Sequence, residues 1–163
     1  SGLTRSREAR EEDGQTKRLS VEEISAVVVD AAFQLHRDLG PGLLESVYEI
    51  VLGRQLEKRG LKVMRQVPVR IEYDGLVLDE GFRADLVIEE WLVIELKSVE
   101  TLAPVHPKQL LTYLRLMRLP LGLLTNFGAA TFSEGVRRVV NDHHDFTGSR
   151  LRVHQVPDSR CRP

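Results

Sequence analysis

The chain has 163 residues, 42% of them hydrophobic, with 23 Lys and Arg against 24 Asp and Glu. That size suits one domain with a real core and excludes two comfortable ones. The charge balance excludes a global basic field, so nucleic-acid binding would need local patches, and the single Cys161 excludes an internal disulfide. No apolar run approaches a membrane span and the amino terminus is charged rather than signal-like, so the expectation is a soluble, cytoplasmic protein without membrane contact.

Residues 1–19 carry many charges and almost no large apolar side chains, and they read as a flexible tail. Ser20 and Glu23 form a capping-box pattern that opens a helix running to about Leu39, where Gly40-Pro41-Gly42 stops it. A second helix begins near Leu43, with Leu44, Val47, Tyr48, Val51, Leu52 and Leu56 as its apolar stripe, and ends at Gly60. Val63, Val67, Val69 and Ile71 then predict extended chain broken by Pro68, with Asp74-Gly75 as a hairpin turn and Leu76 to Leu78 as the return strand.

Two further strands are expected over Asp85 to Ile88 and Trp91 to Lys97, followed by a helix over Lys108 to Arg118 and a strand over Leu121 to Asn126. Phe127-Gly128 turns the chain, Ala130 to Phe132 reads as a short strand, and Val136 to Val140 is a basic-apolar segment of undetermined type. Periodicity is lost beyond Asn141, so the domain spans 20–142 and 143–163 is a C-terminal tail or extension. This order implies an α/β fold, a mixed β-sheet flanked by helices on both faces.

Within that frame Asp85, Glu95 and Lys97 are charges set into strands that should be buried. Burying such groups costs several kcal/mol each unless something compensates, and a divalent cation held by carboxylate oxygens would do so. Alternation puts Glu95 and Lys97 on one face with Val93 and Trp91. Asp85 joins them if it pairs with Glu95, which requires an odd loop such as Glu89-Glu90-Trp91, whereas a two-residue turn would put it on the other face. Lys97 would then stand beside the cation and activate water or stabilise developing charge. The plainer reading is a salt-bridged strand end.

Asp85 followed by Glu95-Leu96-Lys97 resembles the signature of the PD-(D/E)xK nuclease superfamily, and the element order is similar to its restriction-endonuclease-like core. Gly42-Leu43-Leu44-Glu45-Ser46-Val47-Tyr48 resembles the pattern naming the GxxExxY family within it, supported by His36 to Gly42, Asn126-Phe127-Gly128 and Arg138 to Asn141. Ala84 departs from the proline of the superfamily's name. The resemblance implies a Mg2+-dependent phosphodiesterase, with Mn2+ as a substitute and DNA favoured over RNA. Asp85 and Glu95 would hold the metal, Glu45 would join its shell or orient its water, and Lys97 would assist catalysis.

By the same resemblance, Gln109 and Tyr113 border the substrate groove. Read from charge alone, Lys108, Arg115 and Arg118 on the same helix, with Arg137 and Arg138, offer a local phosphate-binding patch, though charge runs are more often simply solvated. Read from residues alone, Glu45 is more simply a first-turn acid favoured by the helix dipole, and Gln109 and Tyr113 are equally a polar surface stripe. Gly42 reads as a backbone requirement and Tyr48 as core with its hydroxyl at the site's edge. His36 and His106 read as packing or capping, and His143-His144-Asp145 as an adventitious metal site. Three alternatives stay open: a non-catalytic nucleic-acid-binding or interaction module, a hydrolase of small phosphoesters, and an oligomer of any of these.

Overall fold

The computed structural model describes residues 18–142 and the backbone of 151–155. Two helices come first, α1 (Val21–Leu39) and α2 (Glu45–Lys58). The chain then forms β1 (Val63–Tyr73), β2 (Leu76–Ile88) and β3 (Leu92–Lys97), crosses by α3 (Val105–Met117) to β4 (Leu121–Asn126), and continues through α4 (Phe132–Gly135) and β5 (Val136–Val140) to β6 (Leu151–Gln155). The sheet order is β5-β4-β3-β2-β1-β6, with β3 and β4 parallel and all other neighbours antiparallel. A parallel pair cannot be joined by a tight turn, so a helical crossover is needed between β3 and β4. No helix among the described residues is long and apolar enough to cross a membrane.

The capping box is formed: the Glu23 backbone N–H donates to Ser20 Oγ at 3.1 Å, and the Ser20 N–H to Glu23 Oε2 at 2.8 Å. Ile24, Val28, Ala31, Ala32 and Leu35 of α1 meet Tyr48, Leu52 and Leu56 of α2 over Leu86, Ile88, Leu92, Ile94 and Leu96 of the sheet. On the other face, Leu110, Leu114 and Met117 of α3 cover Val69, Val87, Val93 and Leu124. β3 is therefore packed on both sides, which is why its apolar run does not alternate. Each large apolar side chain fully buried in these layers contributes roughly 1.5–3 kcal/mol.

Several expectations are corrected. Pro68 does not break β1: it keeps its place in the ladder with β2, opposite Arg83, and the strand continues to Tyr73. The return strand after Asp74-Gly75 and the strand at Asp85 are one long β2. Leu44, at the cap of α2, and Val47 within it are exposed, while Glu49 is buried. Trp91 lies in the turn before β3, with the Arg18 guanidinium over its ring. Phe132 begins a short helix instead of ending a strand, and Val136–Val140 is the edge strand β5. β6 lies in the stretch read as a C-terminal tail or extension, and it adds a strand beside β1. The amino-terminal residues 1–17 and His143-His144-Asp145 fall outside the described residues.

Candidate functional site

β2 and β3 pair with Leu86 opposite Ile94, Val87 opposite Val93 and Ile88 opposite Leu92, so the connecting loop is Glu89-Glu90-Trp91. Glu89 and Glu90 take left-handed φ values of 52° and 63°, which close this loop. The same register carried one pair further sets Asp85 opposite Glu95. There the ladder gives way to side-chain bonds: the Leu96 N–H donates to Asp85 Oδ2 at 2.9 Å, and the Asp85 N–H to Glu95 Oε1 at 3.5 Å. Directly opposed residues of antiparallel strands project to one face. Val93, two positions from Glu95, lies in the core under α3, so Glu95 and Lys97 turn towards the α3 side, and the charges of both acids reach Tyr113 on that helix.

Two carboxylates thus share a buried corner. Burial pushes the Glu95 carboxyl up to about 8, with the Asp85 charge as the second cause and Lys97 opposing both. Burial also raises Asp85, against the Leu96 N–H and Lys97, while Glu45 adds a further upward push. Among the described residues no ion pair engages Asp85, Glu95 or Lys97. Lys97 is a half-buried cation whose field reaches both acids without neutralising either through contact.

Glu45 opens α2, and its Oε1 accepts the Ser98 N–H at 3.2 Å, while Ser98 Oγ donates to the Leu43 carbonyl at 2.7 Å. The start of α2 is thereby clasped to the residue just past β3, close enough for the Glu45 charge to act on both acids. Tyr48 is fully buried and stacks on Phe127 at 4.4 Å. Its hydroxyl donates to the Gly40 carbonyl at 2.6 Å and accepts the Leu43 N–H at 3.1 Å. That hydroxyl locks the turn before α2, whose Leu43 also bonds Ser98. Gly40 and Gly42 adopt φ 69° and 102° in this turn, a region open to glycine and costly for other residues.

From α3, Tyr113 stacks face to face on Phe82 of β2 at 4.0 Å. Its phenol is raised by burial and then by the charges of Glu95 and Asp85, with a hydrogen bond from the Gln109 side chain opposing. Gln109, Lys108, Arg115 and Arg118 are exposed on the same helix. The basic group expected with Arg137 and Arg138 is divided. Arg138 is bound through both guanidinium ends to Glu22 of α1, at 2.6 and 2.9 Å, whereas Arg137 lies opposite Leu124, whose side chain is in the α3 core. His36 Nε2 donates to the Ala129 carbonyl at 2.9 Å, and His106 Nδ1 accepts the Ala103 N–H at 3.1 Å, so both histidines serve local structure.

Sequence reading missed Glu49, Gln66 and Phe82. Glu49 lies four residues after Glu45, and that helical spacing alone was a signal that the two share a side of α2. It is buried, accepts from Gln66 Nε2 through both oxygens at 2.9 and 3.0 Å, and pairs with Arg65 at 3.7 Å. Burial raises its carboxyl, while Gln66 and Arg65 oppose that rise. No sequence pattern marked Gln66 or Phe82, since their relevance depends on strand register.

Asp85 and Glu95 offer hard oxygen donors suited to a divalent cation. Among the described residues no group of three or more His, Cys, Asp or Glu is arranged to hold a metal ion, and the Glu45 carboxylate is turned to Ser98. A pair of carboxylates nevertheless fits Mg2+, which keeps several waters and is commonly held by one or two carboxylates together with substrate phosphate. Residues 22–139 match the family model described as the PD-(D/E)XK nuclease superfamily. No curated protein and no solved structure matches the chain. The mixed sheet with helices on both faces and the acids of β2 and β3 agree with that match over most of the chain, which belongs to the PD-(D/E)XK nuclease superfamily.

Proposed function

We propose that the protein is a Mg2+-dependent nuclease, with Mn2+ as a substitute, that hydrolyses phosphodiester bonds in nucleic acid, DNA in preference to RNA. The superfamily is generally nuclease and typically uses divalent metals. The observation that carries the reading is the buried Asp85–Glu95 pair, two carboxylates raised by burial and facing each other with no cation paired to either among the described residues. Gly42 to Tyr48 supports placement in the GxxExxY branch, and the lone Cys161 is consistent with a cytoplasmic setting.

Asp85 and Glu95 would hold the divalent cation, which when bound would supply Lewis acidity and charge neutralisation at the scissile phosphate. Asp85 is oriented for this by the Leu96 N–H on Oδ2, which leaves Oδ1 directed elsewhere. Lys97 Nζ, in no ion pair among the described residues, is suited to orient the attacking water or to donate to the oxygen on which charge develops. Glu45 assists by holding the loop at Ser98 or, on release from that N–H, by orienting water. Tyr113 and Gln109 border the groove, and Lys108 and Arg115 contact substrate phosphates.

A non-catalytic binding module is the second reading, favoured by the commitment of Glu45 to Ser98. Cleavage of single-stranded DNA, duplex DNA and RNA across Mg2+ and Mn2+ titrations separates the two. The wild type is expected to cleave only with metal, and Asp85→Ala and Lys97→Ala each to lose on the order of 100-fold or more in rate. Metal-independent nucleic-acid binding with no cleavage by any of the three proteins would leave the binding module as the function.

A further inference from the structure

Asp85 is held from two sides, and only one of them belongs to the paired strands it shares with Glu95. On β1, Arg65 pairs with Leu86 and Val67 with Ala84, so the register sets the intervening Gln66 opposite Asp85. Gln66, Asp85 and Glu95 therefore form one row across three adjacent strands. Gln66 Nε2 lies 3.5 Å from Asp85 Oδ1 and 2.9 and 3.0 Å from the two oxygens of Glu49. Both neighbours are carboxylates, acceptors when ionised, so the NH2 end of the amide must face them. One N–H serves Glu49 and the other serves Asp85. Oδ2 takes the Leu96 N–H, and both oxygens of Asp85 are then oriented.

The backbone at Gln66 is also unusual. Its φ of 49° lies in the left-handed region, which glutamine adopts at a cost and which asparagine and glycine accept more readily. Local backbone preference therefore does not account for glutamine here, whereas the reach of its side chain from Asp85 to α2 does. Glu49 is buried and is itself steadied by Arg65 at 3.7 Å, so it is a fixed anchor for the amide.

We propose that Glu49 and Gln66 are positioning residues that act as a relay: buried Glu49 of α2 fixes the Gln66 amide, and that amide fixes the Asp85 carboxylate for a divalent cation shared with Glu95. The inference rests on the reading of Asp85 and Glu95 as cation ligands, and it assigns the first helical layer a part in building that ligand set. Neither relay residue touches the cation. Their effect passes through the orientation of Oδ1.

Mn2+ binding, measured by titration calorimetry without nucleic acid and alongside thermal unfolding of each variant, tests this. Gln66→Asn suits the left-handed backbone but is one methylene short of spanning both carboxylates. It is expected to unfold cooperatively, somewhat earlier than the wild type, and while fully folded at the titration temperature to bind Mn2+ roughly tenfold more weakly, the usual size of an outer-shell effect. Glu49→Gln keeps an acceptor for the amide and should stay within about threefold of the wild type, whereas Glu49→Ala should match Gln66→Asn. Because both residues act through one path, the double variant Glu49→Ala with Gln66→Asn should bind no more weakly than Gln66→Asn alone.

Asp85→Ala keeps the two ideas apart. If it binds Mn2+ as the wild type does, the cation reading itself fails and the relay has nothing to position. If Asp85→Ala loses binding while Gln66→Asn retains it within about twofold, or if the two relay effects multiply in the double variant, the relay alone is overturned.

Discussion

Burial and the Asp85 charge raise the Glu95 carboxyl from 4.5 to about 8, and the direction of that shift fixes how stability changes with pH. A carboxyl raised in the folded state binds its proton more tightly there than in the unfolded chain. Its contribution is fully present below about 4.5 and is lost as pH rises to about 8, since the unfolded chain releases the proton first. Asp85 is raised too and adds in the same direction. Metal-free protein should therefore show an unfolding midpoint that falls across this window, opposite to the trend of a salt-bridged carboxylate. Glu95→Gln should remove most of that fall, and Mn2+ should restore stability at the alkaline end, because a ligand that binds the folded, ionised form shifts the equilibrium by mass action. Thermal unfolding at several pH values, with and without the ion, reads all three. A wild-type midpoint that rises through the window would contradict the assignment of a raised Glu95.

The end of β3 is held in place by its neighbours, a property of elements and not of any one side chain. Asn126, at the end of β4, accepts the Val99 N–H at 3.0 Å and donates to the Val99 carbonyl at 2.8 Å, which ties the chain beyond Lys97 to the parallel strand. Gly128 packs so closely there that a methyl group would lie 2.3 Å from the Val99 carbonyl oxygen and 2.6 Å from its nitrogen. Backbone cannot yield as a flexible side chain can. Gly128→Ala should cost roughly 1–3 kcal/mol in chemical denaturation, an overpacking penalty, and should reduce cleavage beyond that by moving Ser98 and with it the Glu45 clasp. An unchanged denaturation midpoint would show that the loop has room that its geometry does not suggest. The stacked pair of Phe82 and Tyr113 ties α3 to β2, the strand that carries Asp85.

Across the whole molecule the formal net charge is −1. Substrate binding should then rest on a small number of phosphate contacts from α3 and β5, not on a long-range basic field. Each phosphate neutralised adds close to 0.9 to the salt slope on duplex DNA, so Lys108→Ala with Arg115→Ala should shallow the slope by about 1.8. Fluorescence anisotropy with a duplex across a salt series measures this. Arg138→Ala should leave the slope unchanged, since its guanidinium is committed to Glu22. A loss of slope with Arg138→Ala as large as that with the α3 pair would place the binding face at α1 instead.

Much of this was legible along the chain. The capping box at Ser20 and Glu23, the break at Gly40 to Gly42, the apolar run of β3 and the Asp85, Glu95, Lys97 pattern are local, because helix caps, left-handed turns and strand alternation depend on residues within a few positions of one another. The requirement for an odd loop before β3 followed from the two-residue period of a strand, and the loop is Glu89-Glu90-Trp91. Other features depended on contacts between residues far apart in sequence. The burial of Glu49 rather than Leu44 was set by which side of α2 meets the sheet. The opposite commitments of Arg137 and Arg138 followed from the alternation of β5 against β4. Gln66 reaches Asp85 only because two strands separated by a hairpin fall into one register, and no spacing within either strand encodes that meeting.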